Sequence, residues 1–281
     1  MIDYHIHTKL CRHGKGELED YVKSAIKKGL VEIGFNEHYP EEFLLNNLPK
    51  KYHYLIPIED YSMRLEDFPS YVEQVLHLKD KYQDKIHIKL GAEFDFLPQE
   101  KGYIQKQINK YEFDYVYGSI HQIFMGEKPF AFDDSRFLQL YDDYDIDDCY
   151  QVYFTSLHDL INSNLFDIAS HVDIIKKYGK RPNDLKNYNE IIDLTIEILK
   201  INEQVIELNT AGSRKPVKEF YPDDVFLKKA FNKGIEITLG SDAHHPDEVG
   251  HQFDEAIKKL KEIGFEYLIT FNKRKKEKFP I

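Results

Sequence analysis

Imidazoles and carboxylates stand at the ends of successive short apolar runs along this 281-residue chain. The first run carries Asp3-Tyr4-His5-Ile6-His7-Thr8, with His13 in the segment after it. The second ends in Asn36-Glu37-His38, the third in Gly91-Ala92-Glu93 and the fourth in Gly118-Ser119-Ile120-His121. The fifth ends in Ser170-His171-Val172-Asp173, the sixth in Glu207-Leu208-Asn209 and the last in Gly240-Ser241-Asp242-Ala243-His244. His5 and His7 are two apart, so an extended backbone projects both rings to one side. Imidazole and carboxylate together suit borderline transition ions such as Zn, Mn or Fe. The candidate ligands are His5, His7, His13, His38, Glu93, His121, His171, Asp242 and His244. Gathering so many polar groups at one end of a core would be costly unless they bound something. The chemistry this set suits is that of a multinuclear metallohydrolase. His53, His77, His87, His158 and His251 lack such a setting and fit surface or hydrogen-bonded positions.

Residues so far apart meet only if strands deliver them to one face. Strand-like segments fall near 2–7, 31–37, 86–94, 113–120, 166–172, 205–210 and 235–241. Helical patterns separate most of them. Residues 17–29 place Leu18, Tyr21, Val22, Ala25 and Ile26 on one face. Residues 188–203 do so with Ile191, Ile192, Thr195, Ile198 and Leu199, and 247–263 with Val249, Phe253, Ala256, Ile257 and Leu260. Strand and helix in alternation predict an α/β protein with a parallel sheet. An open sheet would concentrate its site at one switch point, whereas ligands at nearly every strand end predict a seven-stranded barrel. Two long connections, 39–68 and 122–145, would lie over its mouth, either shaping a substrate pocket or packing on the rim.

The bulk numbers agree with a soluble globular chain: 42% hydrophobic and 31% charged residues. The single unit expected spans 1–281. No apolar run approaches the roughly 20 residues of a membrane helix. Met1 leads straight into the first strand-like run, which predicts a cytoplasmic protein without a secretory signal. Cys11 and Cys149 cannot form a disulfide framework, and both read as ordinary reduced thiols, although Cys11 stands close to His13. A net charge of −11 argues against broad nucleic-acid binding. It does not exclude a small anionic substrate, since bound cations reverse the local field. The basic segment Lys273–Lys278 reads as a solvated end, and the acidic run 142–148 as a loop leading into a helix N-terminus.

The ligand pattern resembles the PHP (polymerase and histidinol phosphatase) family of metal-dependent phosphoesterases over about residues 1–265. That resemblance implies a distorted (β/α)7 TIM-like barrel and three divalent ions, Zn, Mn or Fe. His5, His7, Glu93 and Asp242 would hold one, and Glu93 would bridge to a second on His121 and His171. His13, His38 and His244 would hold the third. Within the family the chain is similar to the stand-alone histidinol-phosphate phosphatases, through Gly118-Ser119-Ile120-His121 and Asn209-Thr210-Ala211-Gly212-Ser213-Arg214-Lys215. The implied reaction is hydrolysis of L-histidinol phosphate in histidine biosynthesis, by a hydroxide generated between metals.

Charge on the transferring phosphoryl group calls for a cation, and Arg214 suits bidentate contact with phosphate. Lys176, Lys177 and Arg181 are further candidates, and Asn209 faces the same mouth. Glu93, Asp242 and His244 carry the catalytic expectation, the last two, with a metal-bound water, as alternative proton donors to the leaving group. Three alternatives stay open: a nuclease-type phosphoesterase, an amidohydrolase and an inactive metal-binding module. The absence of a basic aromatic groove weighs against the first. Glu93 stands where amidohydrolases commonly use a modified lysine, and the complete ligand set weighs against the third.

Overall fold

The computed structural model describes residues 1–46 and 48–281. In chain order its elements are β1 (Ile2–Ile6), α1 (Leu18–Lys27), β2 (Glu32–Phe35), α2 (Phe68–Lys81), β3 (His87–Leu90), β4 (Glu93–Asp95) and α3 (Lys101–Ile108). There follow β5 (Tyr117–Ser119), β6 (Ile123–Met125), β7 (Lys128–Phe130), α4 (Ile146–Asn162), β8 (Ile168–Ala169), α5 (Leu185–Ile201) and β9 (Val205–Asn209). The last are α6 (Asp224–Lys233), β10 (Ile237–Gly240), α7 (Phe253–Ile263), β11 (Tyr267–Asn272) and β12 (Lys275–Pro280).

The strands form two parallel sheets, β1-β2-β3 and β10-β9-β8-β5-β4. Every residue of β1 and of β9 is buried, as expected where helices and core cover both faces of a parallel sheet. The amphipathic stripes read from sequence face inward: Leu18, Tyr21, Val22 and Ala25 of α1 are buried, as are Ile191, Ile192, Thr195 and Leu199 of α5. In the last helical pattern the helix begins only at Phe253, and Val249 is buried ahead of it.

The expected third strand, 86–94, divides at Gly91-Ala92 into β3 in one sheet and β4 in the other. Gly91 N donates to Phe35 O at 2.9 Å, and the Tyr71 hydroxyl donates to Gly91 O at 2.8 Å. A Cβ at Gly91 would lie 2.5 Å from the Tyr115 ring and 2.9 Å from Phe35 O, so the crossing needs glycine. Backbone hydrogen bonds also join the sheets at both edges. Tyr39 N donates to Glu93 O (2.7 Å) and Glu93 N to Glu37 O (3.0 Å). His7 N donates to Ala243 O (2.9 Å) and Ala243 N to His5 O (3.2 Å).

Both long connections are folded. Tyr39, Phe43, Leu44, Leu55, Ile56 and Ile58 bury into the core, while Asp60 and Tyr61 reach the mouth. The second connection holds the β6–β7 hairpin, and Arg136 Nη1 donates to Asp60 Oδ2 (2.5 Å) across the gap between the two. The basic C-terminal segment is solvated, as expected, and it is also the turn and outer strand of the antiparallel β11–β12 hairpin. Leu268, Ile269 and Phe271 anchor it in the core, and Arg274 pairs with Asp167 at 2.8 Å. Among the described residues, no helix is long and apolar enough to cross a membrane.

Candidate metal centre

The strand ends converge as the alternation predicts. Glu93, fully enclosed at the start of β4, lies at the centre. Its Oε2 is 3.4 Å from His5 Nε2, 3.3 Å from His7 Nε2 and 3.3 Å from His38 Nδ1. Its Oε1 is 3.1 Å from His171 Nε2 and 3.8 Å from His121 Nε2, and accepts from the Ser119 hydroxyl. One carboxylate thus faces two imidazole clusters. Asp242 Oδ1 stands 4.0 Å from His5 Nε2, 3.7 Å from His7 Nε2 and 3.4 Å from His244 Nδ1.

Several trios of ligand atoms lie within 4.8 Å of one another: His5/His7/Glu93, Glu93/His121/His171, His7/His38/His244, Cys11/His13/His244 and His7/Cys11/Glu37. His13, His38 and His244 do not form such a trio among the described residues; the His13 ring lies tilted beside His244 at 4.4 Å between centroids and 5.5 Å from His38. The Cys11 thiol is nearer this cluster than an ordinary core thiol, yet it donates to Thr8 O (3.0 Å) and accepts from Gly14 N (3.2 Å). Both cysteines are free and buried.

The donor set fits divalent metal. His5 Nε2 and His7 Nε2 approach to 2.9 Å, and His121 Nε2 and His171 Nε2 to 3.2 Å. His38 Nδ1 and His244 Nε2 are buried and, among the described residues, have no hydrogen-bond partner, although Glu93 Oε2 approaches His38 Nδ1 to 3.3 Å. Such nitrogens are costly when orphaned and are satisfied by a cation. Burial, with His7 alongside, holds His38 and His244 well below the usual imidazole range, so both are neutral, the ligating form. Burial alone would raise Glu93 and Asp242, but the surrounding imidazoles, His5 foremost, hold both well below the usual carboxylate range.

A second layer of carboxylates orients the rings, and sequence reasoning assigned it no role. Glu207 Oε1 lies 2.7 Å from His5 Nδ1, and Asp95 Oδ1 lies 2.5 Å from His121 Nδ1. This is the carboxylate–imidazole pairing that fixes a ligating ring's tautomer and angle. Burial would lower His5 and His121, but Glu207 and Asp95 respectively carry them well above the usual value. Glu37 accepts from Thr8 N and Oγ1 behind His7, and burial raises it to about 8. The signal was present as i,i+2 spacing, Glu93 with Asp95 and Glu207 with Asn209, which places both members on one side of a strand. His171 (φ +23°) and Asp242 (φ +50°) both adopt the left-handed region, a strain that tends to collect at functional sites.

A cavity of about 430 Å³ opens onto the cluster, lined by His13, His38, Glu93, His121, His171, Asp242 and His244. Of the residues expected to meet substrate, Lys177 lines it, held by Asp133 O at 2.7 Å. Arg214, Lys176, Arg181 and Asn209 do not line it. Lys176 is fully buried against Asp173 at 2.6 Å, and Arg181 is drawn outward to Glu219 at 2.6 Å. Asn209 donates to Glu207 Oε2 at 3.0 Å, and Arg214 donates to backbone carbonyls behind the site. The cations missed from sequence are Lys215, beside Lys177 on the cavity wall, and Arg136 at its rim. Burial and the neighbouring Lys177 lower the Lys215 pKa. His53, His77, His87, His158 and His251 are absent from the lining; His158 instead meets Thr195 Oγ1 at 2.7 Å.

The PHP domain matches residues 3–211. The chain is 31% identical over 275 residues to a protein of Deinococcus radiodurans described as a probable histidinol-phosphatase, covering 98% of each. It is 27% identical to the histidinol-phosphatase of Bacillus subtilis, covering 92% of this chain and 98% of that one. Its fold is shared by the crystal structure of histidinol phosphate phosphatase from Lactococcus lactis complexed with Zn, L-histidinol and phosphate, with a TM-score of 0.78, 24% identity and 98% of each chain covered. On the extent of the family match and of the first of these likenesses, this chain belongs to the PHP domain family.

Proposed function

We propose that the protein is a metal-dependent phosphomonoesterase that hydrolyses L-histidinol phosphate to L-histidinol and phosphate in histidine biosynthesis. The observation that carries the reading is the enclosed Glu93 carboxylate between two imidazole clusters at the floor of a cavity of about 430 Å³. The names of full-length relatives point to the substrate. The two parallel sheets, hydrogen-bonded at both edges, are read as the wall of a distorted (β/α)7 barrel acting as one unit over 1–281.

Three divalent ions of the Zn, Mn or Fe class are proposed. His5, His7, Glu93 and Asp242 would hold one, Glu93, His121 and His171 the second, and His13, His38 and His244 the third. When bound, such ions lower the pKa of water and polarise phosphoryl oxygens. The protein's share is positional. Glu207 and Asp95 hold the His5 and His121 rings at fixed tautomer. Lys177 and Lys215 present two ammonium groups on one cavity wall, where they orient a phosphate and meet charge growing on its oxygens. Asp133 keeps Lys177 protonated: burial alone would lower that amine, and the carboxylate raises it. Tyr61, Ile174 and Tyr178 give the same cavity an apolar side for an imidazole ring. A cavity of this size suits a small ester better than a polymer, and a cytoplasmic setting is proposed with it.

The test is phosphate release from L-histidinol phosphate by protein stripped with a chelator and then resupplied with Zn, Mn or Fe. Activity should vanish on stripping and return with at least one ion. Release that persists in demonstrably metal-free protein would overturn the proposal.

A further inference from the structure

The segment Ser241-Asp242-Ala243-His244 carries two proposed ligands in an unfavourable backbone shape. Asp242 sits at φ +50°, where a residue with a side chain is strained. One side of the segment is fastened to β1: Ser241 N and Oγ donate to Asp3 at 2.9 and 2.6 Å, and Ala243 exchanges backbone bonds with His5 and His7. Among the described residues the other side has no strand neighbour, and the Ser241 and Asp242 carbonyls both face one donor. That donor is Arg214. Its Nη2 donates to Ser241 O and to Asp242 O, both at 2.9 Å, and its Nε lies 3.3 Å from Glu248 Oε1. Glu248 Oε2 in turn accepts from His244 N at 2.9 Å. The guanidinium and the carboxylate thus close a ring of contacts around the turn, attached at Ser241, Asp242 and His244. Neither residue lines the cavity.

We infer that Arg214 and Glu248 form a brace that holds the left-handed turn in the shape that aims Asp242 and His244 at metal. Both are positioning residues. The inference rests on the reading of Asp242 and His244 as ligands, and it assigns Arg214 a task other than gripping phosphate. A planar fork is needed because one nitrogen, Nη2, must meet both carbonyls while a second, Nε, reaches Glu248; a lysine ammonium is a compact charge on a flexible stem and does not span these partners.

The experiment reads metal content, not turnover. Parent, Arg214→Lys, Arg214→Ala, Glu248→Gln and Glu248→Ala proteins are saturated with Zn, freed of excess and analysed for Zn per chain, with circular dichroism of the metal-free forms as the folding check. Each Ala variant and Arg214→Lys should carry roughly one Zn fewer per chain than the parent. Glu248→Gln, which keeps an acceptor for His244 N, should recover part of that loss. Because Glu248 lies outside the cavity, equal losses at both positions single out the brace. Full Zn content in the Arg214 variants overturns the inference, whether their turnover falls, which returns Arg214 to the substrate, or stays at the parent level. If an Ala variant fails to fold, the Lys and Gln variants decide by the same readout. A parent that binds no Zn, Mn or Fe would instead refute the proposed function itself.

Discussion

Glu207→Gln isolates the contribution of a buried carboxylate that touches no substrate. Glu207 has no exposure and four neighbouring donors or rings: His5 Nδ1 at 2.7 Å and Tyr117 OH at 3.4 Å on Oε1, His171 N at 3.1 Å and Asn209 Nδ2 at 3.0 Å on Oε2. Glutamine has nearly the same shape but one acceptor oxygen and one amide donor. If its oxygen faces His5, its NH₂ points at the His171 and Asn209 donors; if flipped, it points at the His5 ring. Either way one side is left with unmet donors, at about 1–3 kcal/mol for a buried group. Part of that cost falls on ring orientation and ligand basicity. Loss of such a carboxylate partner typically lowers metal affinity about 10- to 100-fold, or about 1.4–2.8 kcal/mol. The assay is competition with a chromogenic chelator on folded parent and variant, with Glu197→Gln as an exposed control on α5. An affinity within about threefold of the parent would refute the claim that Glu207 tunes His5.

Gly240→Ala should act through the same contact, because its Cβ would lie 2.0 Å from Glu207 Oε1 and 2.6 Å from His5 Cβ. A stability loss of about 1–3 kcal/mol in urea, with weakened metal binding, is expected, and parent values for both would be wrong for this geometry. Lys177→Ala and Lys215→Ala should each lower kcat/KM about 10- to 100-fold through a lost charged hydrogen bond while Zn content stays at the parent level; loss of metal instead would remove them from the phosphate. The pH response of the metal-free protein is set by imidazoles shifted in opposite directions. His38 and His244 are lowered, chiefly by burial, so their share of stability is present above the ordinary value of 6.5 and is lost as pH falls below it toward their folded values. His5 and His121 are raised, so theirs is present below 6.5 and is lost as pH rises through their folded values. Metal must displace those two protons, so the rise in Tm on adding Zn should be larger at pH 8 than at pH 6, and an equal rise would contradict the assignment.

The strand ends were legible because apolar runs and ligand types recur together, and His5-x-His7 needs only a period of two. The break at Gly91-Ala92 was not, because residues 86–94 read as one apolar run and only the Tyr115 ring and Phe35 carbonyl divide it. The β11–β12 hairpin was hidden by the lysines of β12, which is solvated on both faces, while the buried Leu268, Ile269 and Phe271 all lie on β11. Candidate ligands were readable by type, whereas of the cations named from sequence only Lys177 lines the cavity. Arg214 and Lys215 are adjacent, and nothing local says which turns into the cavity; tertiary partners, the Ser241 and Asp242 carbonyls, decide it. Glu207 and Asp95 looked like ordinary strand residues until the His5 and His121 rings were placed beside them.

The most direct test of function is kcat/KM for L-histidinol phosphate in metal-replete protein, measured beside other small phosphomonoesters and a single-stranded oligonucleotide. A value for histidinol phosphate far above all the others is expected from this site. Equal slow release from every monoester, or a preference for the oligonucleotide, would contradict it.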